Sequence, residues 1–491
     1  MLRFSRPQYF HCYPTFVWRN LSGDRGSFDL RKKWMGLSVM LWLGLQAWVP
    51  LNEDASVLAQ PQTCGPPIYC ARTDRRVEPY PKTPPTLGPA GSIIADPSFH
   101  SRILRVTDPK SDPDGLGRSM MSPASAETNA WNSDGTRFYV LTAGGQYVLY
   151  DFDPVKMKAH PRELLPFPEG DFSHTRPNIL YAASSNNPAF QQYDVSNGQI
   201  TKLQKVSDCV KLRASDLAFS VSVSADDERM ATMLGPEQDR NFMVYVYDRK
   251  LGCRWYNTQT GEIGGQWGPK GTISAADRYL IHNTNISPSG KYIWVERGSS
   301  SVGNWWLIWE VETMKVTACP SWCSGHHVVG YSHVVGPSGE RHPLDLLSRP
   351  LNNLNATNSL VADLAAGDSQ HWYDQHLSWN NADPNDDNPF CLSTYNGGNP
   401  NIPGAPLDAA GPWENEILCV EPHARDSTGS RVWRFAHTFS TAKNGFWSTP
   451  RGNVSQDGRF FMFTSDWEDQ LGREPSNKQQ YRTDVFIVEL R

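Results

Sequence analysis

One pattern limits this chain more than any other: a polar stretch, a glycine-bearing turn, then an alternating aromatic and β-branched strand. It is clearest in "AWNSDGTRFYVLTAGGQYVLYDFD" (130–153), "NISPSGKYIWVERGSSSVGNWWLIWEVE" (285–312) and "NVSQDGRFFMFTSDWEDQLG" (453–472), the last continuing into "RTDVFIVEL" (482–490). The Asp-Gly and Ser-Gly steps are hairpin chemistry, because glycine tolerates the positive φ such turns require. Weaker copies occupy 172–200, 220–248, 328–347 and 376–398, making seven units with turns about 45–70 residues apart. No amphipathic helical stretch of useful length separates them. Repeated four-stranded units at such a period predict an all-β fold, a seven-bladed β-propeller. The strand in "GSIIADPSFHSRILRVTD" (91–108) is expected to pair with the C-terminal "DVFIVEL", closing the ring and hiding both edges. A two-domain β-sandwich is the alternative, and the repeat disfavours it.

Export is the second expectation. "RKKWMGLSVMLWLGLQAWV" (31–49) sets basic residues before an apolar run, and "SVLA" (56–59) offers small residues for cleavage after Ala59. An uncleaved membrane anchor is the competing reading, and the apolar run is short for a span. The chain then divides into a leader (1–59), a Pro-rich linker (60–90) and the propeller (91–491). Cys12 falls in the leader and eight cysteines remain. An even number after an export signal predicts disulfides, here between sequence neighbours: 64–70, 209–253, 319–323 and 391–419. A zinc site of Cys319, Cys323, His326 and His327 in "CPSWCSGHH" competes with the third pair. Location is expected to be periplasmic or extracellular, and the protein a monomer. The net charge of −5 with no long basic run gives no footing for nucleic acid.

The segments "SDGTRFYV", "SPSGKYIWV" and "SQDGRFFMF" resemble the repeats of TolB-type propellers, whose blades carry such a turn between their first two strands. The similarity spans about residues 95–490. It implies a fold and no activity. A non-catalytic propeller binding a protein or glycan in the cell envelope is the function it suggests.

Chemistry in a propeller gathers where the innermost strands open at the channel mouth. Reading back from each turn by a strand's length of roughly 20–30 Å gives a polar set. Glu127 and Asn129 precede Asp134-Gly135, His282 precedes Ser289-Gly290, and His376 precedes "DPNDD" (383–387). Arg451 and Asn453 precede Asp457-Gly458, while His326, His327 and His333 precede Gly339. His437 sits on the connection into the last blade. Convergent imidazoles suit a divalent transition metal; the competing role for them is hydrogen bonding to loop backbone.

This arrangement is similar to the metal-bearing channel of oligogalacturonate-lyase-like propellers, where His and Gln ligands from neighbouring blades hold a divalent ion. The resemblance implies His327, Gln375 (or Gln370), His376 and His437 as ligands to Mn, Zn or Ca, with His282 as base. It implies β-elimination on a uronate, Arg451 assisting through the substrate carboxylate. Glu127, Asn129, Trp372 and Trp447 are the candidate substrate contacts, and an acidic polysaccharide or an envelope protein the candidate partner. Fourteen of the 18 Trp follow residue 59; Trp294, Trp309 and Trp433 are expected between blades. There is no Gly-x-Ser-x-Gly, His-Glu-x-x-His or phosphate-binding loop.

Overall fold

The structure, a computed structural model, describes residues 64–491 except 185–186, 238, 274–277, 299–305, 320–322, 324, 338–344, 363–373, 396–410 and 425–428. Seven antiparallel sheets form the blades of a β-propeller. From the channel outward, blade 1 runs Met120–Met121, Arg137–Thr142, Tyr147–Asp153 and Lys158–Leu164. The innermost strands of blades 2 to 6 are Asp171–Phe172, Leu217–Val223, Ile281–Ile286, Val328–Val329 and Asp374–Ser378. Blade 3 has six strands, ending at Gly271–Thr272. Blade 7 closes the ring as expected: Gly452–Val454, Phe460–Ser465 and Asp484–Glu489 are followed by Arg102–Arg105 and Ile93–Ala95. Ile103 stands opposite Val488, and Leu104 opposite Ile487.

Middle strands are largely buried because blades pack on both of their faces. Phe460–Ser465 is buried at every position. Outer strands such as Gln199–Lys205 are largely exposed and carry lysines that discourage edge pairing. The wedge between blades 7 and 1 is aromatic: Trp131 packs on Phe138, Phe152 and Phe460. Trp294, Trp309 and Trp433 are fully buried, as expected of inter-blade fillers.

In five blades the turn after the inner strand uses a positive φ. Gly135, Gly290 and Gly458 supply it in three blades. Asp227 (φ 59°) and Asp386 (φ 57°) supply it in two others, and each carboxylate reaches back to the preceding blade. Asp227 accepts from the Ser173 hydroxyl and, at 3.1 Å, the His174 amide. Asp386 accepts from the Ser332 amide at 2.8 Å. The local strain of a non-glycine residue is thus offset by charge-assisted ties between blades.

All four expected disulfides form. Cys391 and Cys419 are ladder partners in blade 6. The zinc alternative is overturned, because Cys319 and Cys323 are bonded to each other and offer no thiolate. The Pro-rich stretch lies against blades 6 and 7. Tyr69 is buried edge-on to Trp433 and Phe435, its hydroxyl donating to Gly458 O at 2.8 Å. No helix among the described residues is long and apolar enough to cross a membrane.

Candidate functional site at the channel mouth

The inner strand of blade 1 is interrupted. Met120 and Met121 pair with Thr142 and Leu141, and pairing resumes only where Trp131 faces Phe138. Residues 122–129, "SPASAETN", leave the strand and enter the channel. Pro123 cannot donate to the ladder, which favours this break. Blade 7 holds the loop: Asn453 Nδ2 donates to the carbonyls of Ala126 (3.0 Å) and Thr128 (2.9 Å), and Arg451 Nε donates to Pro123 O (3.1 Å). Thr128 donates its hydroxyl to Glu169 at 3.1 Å, and Asn380 of blade 6 donates to Asn129. The Glu127 carboxylate thereby comes within 3.6 Å of His327 Nδ1 in blade 5. Below the loop, blades 1 to 6 enclose a cavity of only about 40 Å³, lined by Asp171, His174, Ser378 and Asn381 among others. The loop is a plug, and the mouth above it has a floor.

Four imidazoles stand around this mouth in two electrostatic states. His326 lies 3.4 Å from Asp374, whose other oxygen accepts from Tyr395 Oη at 3.1 Å. Burial alone would lower His326, but Asp374, with Glu127 and Glu296 near, raises it to about 9. His282 contacts Asp239 through Nδ1, and Asp239 and Glu296 outweigh desolvation to raise it to about 9. His327 and His376 are the opposite case. Both are buried, and neither ring nitrogen of either has a hydrogen-bond partner among the described residues. Burial pushes both well below the usual imidazole range, and the positive charge of His326 pushes the same way. His327 stacks on Trp294 with ring centroids 3.2 Å apart; His376 lies 4.0 Å from the His326 ring and stacks on Tyr395 at 5.5 Å. Burial also raises Glu127, and raises Glu296 to about 7.

The residues expected from sequence separate into groups. Glu127, His282, His327, His376 and Arg451 reach the mouth. Gln375 neighbours His376 on the same strand, buried, its Oε1 without a partner. Asn129 is taken up in the plug, accepting from Asn380 and donating Nδ2 to Phe172 O at 2.8 Å. Arg451 is fully buried beneath Phe446 (4.4 Å) and Trp447 (5.1 Å), and only Nη2 lacks a partner. Burial lowers it to about 10. His437 is on the mouth's face of the molecule but on the outermost strand of blade 6, three strands or about 14 Å from the inner one. There it bonds Asp96 at 3.2 Å and packs on Tyr80 and Phe99. Trp372, like Gln370, lies outside the described residues. Among the described residues no group of three His, Cys, Asp or Glu side chains could hold a metal ion.

Asp239, Glu296, Asp374, Tyr395 and Phe446 were not expected. Two had a legible signal. Asp374 is two residues before His376 and shares its strand face. Glu296 is a charge inside "YIWVE", a strand otherwise apolar on that side.

Comparison with known proteins adds the fold and little else. No protein-family model matches, and no curated protein matches. Among solved structures, an oligogalacturonate lyase in complex with manganese aligns with a TM-score of 0.52 and 12% identity, over 83% of this chain and 98% of that one. U3-55K aligns with a TM-score of 0.43 and 9% identity over 76% and 96%. The Cps50 (Swd1) β-propeller domain of Myceliophteria thermophila aligns at 0.38 and 13% over 75% and 98%. At 12% identity the likeness to the lyase is one of fold.

Proposed function

We propose that this is an exported propeller acting on an acidic carbohydrate by proton abstraction and β-elimination at the plugged channel mouth. One observation carries the reading: His327 and His376, buried with bare ring nitrogens, stand beside His326, which Asp374 holds as an imidazolium. A neutral base next to a fixed cation is what removal of a proton α to a carboxylate requires. The substrate carboxylate pairs with His326, the partly exposed cation of the mouth. His376 takes the proton from the adjacent carbon, and the electron pair forms the double bond as the C–O bond to the next sugar breaks. His282, held protonated, donates to the departing oxygen; its charge state suits an acid rather than the base expected from sequence. The four disulfides support passage through an oxidising compartment.

The lyase whose fold this chain shares was solved with manganese. A divalent ion would find described nitrogen donors in His327 and His376. Fewer than three donors meet among the described residues, so the set does not fit such an ion by itself, and no step above uses one. A second reading, a non-catalytic envelope-binding propeller of TolB type, is favoured by the use of Asn453 and most of Arg451 to hold the plug.

The test is incubation with a panel of polyuronates, following ultraviolet absorbance of the unsaturated product, with elemental analysis of the purified protein alongside. The parent should release product and the His376→Ala variant should lose at least about a hundredfold in rate. Binding of a uronate with no product, at any pH between 5 and 10, would favour the second reading.

A further inference from the structure

The connection into blade 7 and an insertion within it build a surface that the mouth alone does not explain. Residues 443–447, "KNGFW", run beside the mouth, and Phe446 is 45% exposed although its ring is 6.1 Å from that of His376. Trp447 stands edge-on to Phe446 at 5.2 Å. This segment is clamped to the hairpin Arg473–Glu474/Asn477–Tyr481: Asn444 Nδ2 donates to Tyr481 O at 2.6 Å, and Tyr481 N donates to Asn444 Oδ1 at 3.1 Å. The Arg473 guanidinium lies over the Tyr481 ring at 3.8 Å and bonds its hydroxyl at 2.9 Å. Phe446 and Trp447 therefore lie beside His376, and the Arg473–Tyr481 pair sits on the hairpin clamped to their segment.

The charge on this surface is not balanced. Glu474 turns inward, accepting from the Ser119 amide at 2.7 Å and the Ser476 hydroxyl at 2.7 Å. Asp469 is engaged by Lys443. Arg473 remains exposed and has no carboxylate partner among the described residues. Flat aromatic rings with a cation among them match a chain of sugar rings that each carry a carboxylate: the ring faces stack, and a carboxylate meets the cation.

We propose that Phe446, Trp447, Tyr481 and Arg473 form an extended subsite for the sugars of an acidic oligosaccharide that lie beyond the one held at the mouth. This rests on the mouth being an acidic-sugar site, and it adds a length and charge preference that the four imidazoles do not supply.

The experiment is calorimetric titration of the parent, Phe446→Ala and Arg473→Gln with a uronate disaccharide, a longer uronate oligomer and the carboxyl-reduced longer oligomer. The parent should bind the longer uronate at least about tenfold tighter than the disaccharide. Phe446→Ala should weaken the longer uronate by roughly tenfold, within the range of a lost stacking contact. Arg473→Gln should weaken the longer uronate severalfold, leaving the disaccharide and the reduced oligomer unchanged. Both side chains are exposed, so both variants should keep the parent's near-ultraviolet circular dichroism. Equal parent affinity for the two uronates, or no loss of length preference in either variant, overturns the subsite and leaves the mouth reading standing. A parent that binds neither uronate overturns both.

Discussion

At the scale of single residues, the four mouth imidazoles make stability depend on pH in two directions. His327 and His376 have folded pKa values below the unfolded one, so their contribution is full above about 6.5 and is lost as pH falls further. His326 and His282 have folded values near 9, so theirs is full below about 6.5 and is lost as pH rises through 9. Below pH 6.5 the His376→Leu variant should lose less stability than the parent, and the two should share the alkaline limb. Thermal melts of parent and variant across pH 5–10 check this; an unchanged acid limb would remove His376 from the account. The inter-blade aspartates are a second case. Asp227→Ala loses its ties to Ser173 and His174 and leaves a β-carbon at positive φ, at an expected cost of about 2–4 kcal/mol in chemical denaturation. Asp227→Gly should cost less, because glycine removes the strain term.

At the scale of elements, the blades were legible and the plug was not. Blade signals are local: turn glycines, alternating strands and cysteines close in sequence lie within one repeat, and so the seven blades, the closure by residues 91–108 and all four disulfides could be read. The channel face depends on side chains from blades far apart in sequence. Glu127 was expected on an inner strand, yet Pro123 and the small residues around it let the chain leave the strand between Met121 and Ala130. His437 was placed at the channel because it precedes the last blade, but it still belongs to the outer strand of blade 6. His376 and Asp374 were within reach because both occupy one short inner strand. The plug makes its own prediction. Asn453→Ala removes the donor to the Ala126 and Thr128 carbonyls and should cost about 1–3 kcal/mol. It should also raise protease cleavage within 122–129; equal cleavage in parent and variant would contradict the assignment of Asn453 as the plug's anchor.

At the scale of the whole molecule, a ring closed by its two ends needs those ends fastened. Asp484, at 0% exposure, takes Arg105 and Arg482, the latter at 2.6 Å, and so ties the N-terminal strand to the C-terminal one. Asp484→Asn leaves two buried guanidiniums without their shared counter-charge and should cost about 3–5 kcal/mol, read as a lowered denaturation midpoint with one cooperative transition. The same closure keeps the mouth rigid. Side chains from blades 1, 4, 5 and 6 stay convergent there only while the ring stays shut. The central claim is that this convergence holds two imidazoles neutral beside two that are charged. Nuclear magnetic resonance titration of histidine ring nitrogens, assigned by single His→Gln variants, measures it directly. Two resonances, those of His282 and His326, should titrate near pH 9, while those of His327 and His376 stay neutral down to the acid unfolding limb. Four resonances titrating together near the ordinary imidazole value of about 6.5 would contradict it.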